Sequence, residues 1–107
     1  MANQQMLLGI GPKSIPVEYL VIAGGASGAG GGGYAGGGGG AGGYREGLGL
    51  NDSYTGSPLR SPTGIPVTAT GYPITVGAGA AAVSNPNVGN DGSTSTFSTI
   101  SSAGGGG

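Results

Sequence analysis

Apolar and polar positions along this chain follow one scheme three times: a short apolar or alternating stretch, a small residue, then glycine. Val17 to Ala23 (VEYLVIA) is dense in β-branched and aromatic side chains and stops at Gly24–Gly25, which predicts a strand. Its near-continuous apolarity predicts cover on both faces. Tyr72 to Val76 (YPITV) predicts a second strand ending at Gly77. Ser93 to Ser102 alternates polar residues with Phe97 and Ile100, predicting a third that runs into Gly104–Gly107. Between the first two, residues 47–71 carry Ser53, Gly56, Pro58, Ser61, Pro62, Gly64 and Pro66 and read as loop. Within that loop, residues 65–70 can form a short edge strand, because Pro66 cannot donate to a ladder. Asn85-Pro86-Asn87 and Asn90-Asp91-Gly92 read as turns.

The stretch from Gly24 to Gly43 is glycine at 14 of its 20 positions. Each glycine loses about 1 kcal/mol against alanine in a helix, so helix is excluded. A flexible linker is the plain reading of such composition. An ordered run, by contrast, must pair its N–H and C=O groups. Polyproline-II geometry has three residues per turn and no internal hydrogen bonds, so its peptide groups point sideways. Without Cβ atoms, such helices can lie close and bond laterally, and the run is read here as paired or bundled extended glycine helices. Collagen is the wrong version: Tyr34, Ala35, Arg45 and Glu46 break any Gly-x-y triplet. Tyr34 and Tyr44 interrupt and close the run. Their rings can wedge between backbone layers or offer a stacking surface to sugars.

Residues 1–16 (MANQQMLLGIGPKSIP) read as an irregular N-terminal arm with an apolar cluster at Met6, Leu7, Leu8 and Ile10. That cluster is the candidate docking segment, since terminal arms order when something ties them down. Residues 17–107 then form one glycine-rich β domain. The expected fold is mainly β with polyglycine-II segments: a small β-sandwich framework with glycine-rich extensions, part of a larger or oligomeric unit.

Composition narrows the chemistry. Leu, Ile, Val and Phe number 19 of 107 residues, a range associated with disorder when net charge is high. Here the formal charge is only −1. Too weakly charged to stay open and too poor in apolar residues for a deep core, the chain is expected to lean on a partner. Lys13, Arg45 and Arg60 are its only cations, which leaves no footprint for nucleic acid or an anionic membrane. No apolar run approaches the roughly 20 residues of a membrane span, so no insertion is expected. The N-terminus lacks the basic start and long apolar stretch of a secretory signal.

No histidine and no cysteine are present, which removes the commonest base, zinc ligand and thiolate nucleophile. Residues 72–83 (YPITVGAGAAAV) imitate a dinucleotide-binding turn, but Asn85-Pro86-Asn87 stops any helix that would meet a pyrophosphate. The carboxylates Glu18, Glu46, Asp52 and Asp91 are scattered. A calcium site from Asp52, Asp91 and loop carbonyls is the one cation arrangement they permit, and it is not adopted here. We therefore expect no enzyme, no catalytic residue, no cofactor and no bound metal.

The strand–glycine junctions VEYLVIAGG (17–25), GGYREG (42–47), YPITVGAG (72–79) and STFSTISSAGGGG (95–107), in that order, resemble the glycine-rich domain of bacteriophage tail fibres and related virion appendages, especially those of phages infecting cyanobacteria. The resemblance covers roughly residues 17–107. It implies a β-sandwich bearing polyglycine-II helices in a virion structural component, often trimeric, with glycine-rich parts at the host-facing end. Later strands of a complete domain do not follow residue 107, so the natural polypeptide is expected to continue. The expected partners are other virion proteins (tail, baseplate or capsid) and the chain's own copies as a homotrimer, in a phage particle. The alternative expectation is an adhesin module that reads host cell-surface polysaccharide, with Tyr34 and Tyr54 as surface-contact residues.

Overall fold

The structure, a computed structural model, describes residues 13–32, 35–49 and 56–107. Among these the chain is mainly β, with no helix. Its strands are β1 (Ile15–Val17), β2 (Tyr19–Ile22), β3 (Tyr44–Gly47), β4 (Ile65–Val67), β5 (Ile74–Thr75), β6 (Ser95–Phe97) and β7 (Ile100–Ser102). They form three small sheets: β1 with β4, β2 with β3, and β5-β6-β7. The described residues fall into two compact units, one from Met1–Tyr19 with Gly47–Gly71 and one from Leu20–Glu46 with Tyr72–Gly107.

The first unit holds the antiparallel ribbon of β1 and β4, in register Ile15↔Val67, Pro16↔Pro66 and Val17↔Ile65. β1 thus takes in Ile15 and Pro16, the last two positions of the stretch read as an arm. Two prolines face one another, which a ribbon tolerates because neither edge needs the missing donor. Gly64 lies so close to the Val17 backbone that a Cβ there would collide with the Val17 carbonyl. A parallel bridge joins Gly47 to Ser61, and Leu48 N–H donates to the Ser61 carbonyl at 3.4 Å. Leu48, 5% exposed, is the buried apolar side chain among the described residues of this unit. Gly47 sits against the Tyr19 ring with no room for a side chain.

The second unit contains the three-stranded sheet. Residues 93–102, expected as one strand, instead fold back on themselves. β6 and β7 pair antiparallel in register Ser95↔Ser102, Thr96↔Ser101 and Phe97↔Ile100, leaving a two-residue loop at Ser98–Thr99. Ser98 adopts a positive φ of 53°, the conformation that lets so short a loop match the strand twist. β5 adds Ile74↔Phe97 and Thr75↔Thr96. Tyr72 meets Phe97 edge to face, with ring centroids 6.3 Å apart and 65° between planes.

β2 corrects a second expectation. Val21 is buried, but Leu20 and Ile22 on the other face are 56% and 53% exposed. Strand alternation explains it: only one face of β2 is covered among the described residues. β3 was not foreseen, since Tyr44 reads only as the close of the glycine run and Arg45 and Glu46 only as a break in any triplet repeat. The Tyr44 ring is half-exposed at its start. Its phenol is held above the ordinary value, first by desolvation and then by the Glu46 carboxylate two residues on.

Candidate functional site

Five extended segments of the second unit carry most of its glycine: residues 23–32, 35–43, 77–84, 87–94 and 103–107, here the first to fifth. Their backbone bonds recur every third residue. The first segment donates from Ala23, Ala26 and Ala29 to the carbonyls of Gly43, Gly40 and Gly37 of the second, all at 2.9 Å. The next column, Gly24, Ser27 and Gly30, donates to Ser93, Asn90 and Asn87 of the fourth at 3.0, 3.0 and 2.8 Å. A three-residue repeat with successive columns facing different neighbours is the period of a polyproline-II-type helix. Bundled glycine helices, expected from composition, are what the chain builds.

The remaining bonds fix the arrangement. Third and fourth segments run antiparallel through Ser93 N–H to Ala78 C=O (2.9 Å), the Asn90 side-chain amide to Ala81 C=O (3.0 Å) and Asn87 N–H to Ser84 C=O (3.2 Å). The reversal between them contains the cis Asn85–Pro86 peptide. The fifth segment receives Gly40 and Gly43 N–H from the second at its Gly106 and Ala103 carbonyls. It donates from Gly105 to Gly24 of the first and accepts from Gly92 of the fourth. Ala80 of the third donates to Gly25 of the first. Together these place third, first and second segments in one row. The fourth and fifth lie in a second row, seated in the grooves of the first, with every adjacent pair bonded.

Close approach is what glycine supplies here. No glycine whose surroundings are described has φ in the left-handed region, so backbone torsion does not demand the residue. Space does. A Cβ at Gly24 would strike Ala78 C=O, one at Gly42 the Ala23 carbonyl, one at Gly92 the Gly24 carbonyl, and one at Gly104 the Gly92 carbonyl. At the outer edge the opposite holds: Gly37 and Gly38 have nothing within 4 Å of a built Cβ.

Two buried serines join bundle and sheet. Ser102, 1% exposed, donates its hydroxyl to Val21 C=O at 2.6 Å. Ser95, 3% exposed, accepts Gly77 N–H at 2.9 Å where the third segment begins. A hydroxyl can bridge backbones in the positions where a ladder gives way to a three-residue repeat. Sequence reasoning missed both serines. Their place next to the junctions with glycine was the available signal.

The candidate residues chosen from sequence fall largely outside this view. Met6, Leu7, Leu8 and Ile10, and likewise Tyr34 and Tyr54, lie outside the described residues. Asp91 accepts Gly107 N–H at 2.9 Å, and no group of three or more metal-ligating side chains occurs among the described residues. Residues 77–84 continue as extended chain, so no helix follows the glycines at 77 and 79. An open hollow of about 410 Å³ lies at one end of the bundle, lined by Gly30, Gly32, Gly36, Pro86, Asn87 and Val88 among others.

Main-chain packing of this kind, together with small antiparallel sheets, defines a mainly β glycine-bundle protein. The chain belongs to the glycine-rich domain family, whose model matches residues 4–107. Neither a comparison with curated proteins nor one with solved structures returned a match.

Proposed function

We propose that the chain is a structural subunit of a virion, a tail fibre or fibre-base component held to the phage particle through its N-terminal arm and supporting host attachment. The observation that carries this reading is the two-row bundle, in which polyglycine is a bonded building material instead of a tether. Membership of the glycine-rich domain family agrees with it, and so does the order of strand–glycine junctions. In this reading Met6, Leu7, Leu8 and Ile10 dock on tail, baseplate or capsid, and own copies pack alongside, as a homotrimer in the family resemblance. Deleting residues 1–12, which keeps β1 whole, should leave slow amide exchange at Ala26 and Ser27 intact while the protein is lost from purified particles. Normal incorporation of that truncation would reject the docking role.

A second reading, an adhesin module for cell-surface polysaccharide, is favoured by the hollow at the bundle end. Tyr34 lies in sequence between the first and second segments and is an aromatic suited to stacking on a sugar face. If Tyr34→Ala with Tyr54→Ala abolishes adsorption while particles assemble normally, the adhesin reading gains over the purely structural one.

A further inference from the structure

The first segment uses two of its three columns of N–H groups. Ala23, Ala26 and Ala29 serve the second segment, and Gly24, Ser27 and Gly30 the fourth. The third column, Gly25, Gly28 and Gly31, donates to no described residue, and all three positions are exposed. With three residues per turn, the columns stand roughly 120° apart. The unused one therefore points away from the second row, over the groove between the first and third segments. In the packing already described, that is the next unfilled position.

Requirements on an occupant follow from the bundle itself. Donors repeat at about 9 Å, three rises of about 3.1 Å, so acceptors must repeat at that pitch. The partner must also come close without Cβ atoms, as the inner segments do: a Cβ at Gly28 would already lie 2.8 Å from the Gly37 carbonyl. A glycine helix meets both conditions, and this chain supplies one on its own outer edge. The second segment is exposed from residue 35 to 41, and space is open around Gly37 and Gly38. At the foot of the unused column stands Ile22, 53% exposed, with Leu20 beside it at 56%. A formal charge of −1 sets almost no repulsion between copies. Unpaired donors next to exposed apolar side chains have the properties of an open sheet edge, which recruits a chain of matching period.

We propose that the row made by the third, first and second segments is a self-association surface, on which a second copy of this chain lays its extended glycine segments along Ile22, Gly25, Gly28 and Gly31. The inference rests on the packing of own copies in the proposed function and gives it a surface; solution mass and amide exchange test that surface, and particle incorporation tests the virion role.

The test uses the purified chain, with sedimentation for mass and hydrogen exchange for amides. Two variants probe the surface. Gly25→Glu places a side chain where a Cβ meets only Gly40 C=O at 3.6 Å, an ordinary contact, so the protomer can carry it. Ile22→Asp charges the exposed foot. The wild-type chain should associate below about 100 µM, and each variant should weaken association about tenfold or more. Amides of Gly25, Gly28 and Gly31 should be slow only in the associated form, while Ala26 and Ser27 stay slow in every form as the sign of an intact bundle. A monomeric wild-type chain overturns the proposal. So does an oligomer whose Gly25, Gly28 and Gly31 amides exchange freely, or one that Gly25→Glu leaves unchanged.

Discussion

The three-stranded sheet and the glycine bundle sit in the same unit and solve the pairing of peptide groups in opposite ways. In β5-β6-β7 side chains alternate every two residues and contribute to cohesion, as with Tyr72 against Phe97 and Ile74 opposite Phe97. In the bundle the bonds repeat every three residues, and cohesion depends on side chains being absent. A sheet bonds each chain to two neighbours in a plane. A glycine helix bonds sideways in several directions, so the first segment reaches four others. What the difference teaches is that side-chain volume, the usual source of stability, is a hazard in one half of this unit and a need in the other.

The sharpest way to break the comparison is one added methyl at a seam. In Gly104→Ala the Cβ would overlap the Gly92 carbonyl, and no flexible side chain is there to yield. Loss of about 3 kcal/mol is expected, the upper range for overpacking, measurable as a fall in denaturant midpoint. Unchanged stability would show that the fourth and fifth segments do not lie this close. Next in size is Ser102→Ala, which removes a buried hydroxyl and its bond to the Val21 carbonyl where bundle and sheet meet. About 1 kcal/mol should be lost, with exchange rising first at residues flanking Val21. The smallest effect has the opposite sign. Gly38→Ala, at an open position with ordinary φ, should stabilise the monomeric protomer, measured in the Ile22→Asp background, by about 0.5 kcal/mol by restricting the unfolded chain. A destabilising result there would mean that the outer edge is covered by something the single chain does not contain.

How far the fold could be read from sequence depends on side chains. Strands that end in glycine were legible because Val, Ile, Tyr and Phe cluster before each run. The hairpin at Ser98–Thr99 was not, because serine and threonine give no turn signal of the Asn-Gly kind and Ser98 takes its positive φ under tertiary pairing. β3 was hidden for a related reason: its pairing with β2 decides its conformation, against the weak preference of Tyr-Arg-Glu-Gly. That glycine helices would bundle was readable from composition, but which lies beside which was not. Glycines carry no side chain to distinguish one neighbour from another. A trace did exist in Ala23, Ala26 and Ala29, spaced by three along one column of donors. The exposed column of Gly25, Gly28 and Gly31 is the complement of that spacing.

The peptide-lined interior also has a thermal consequence. Buried apolar side chains are few among the described residues, Val21, Ala23 and Leu48, while peptide groups along the inner seams, at Gly24, Gly92, Gly104 and Gly105, are drawn out of water. Exposing apolar surface raises heat capacity on unfolding and exposing polar surface lowers it. The two contributions therefore offset one another more fully here than in an oil-filled domain. The stability curve of such a bundle is flat, and its cohesion does not fade in the cold as a hydrophobic core's does.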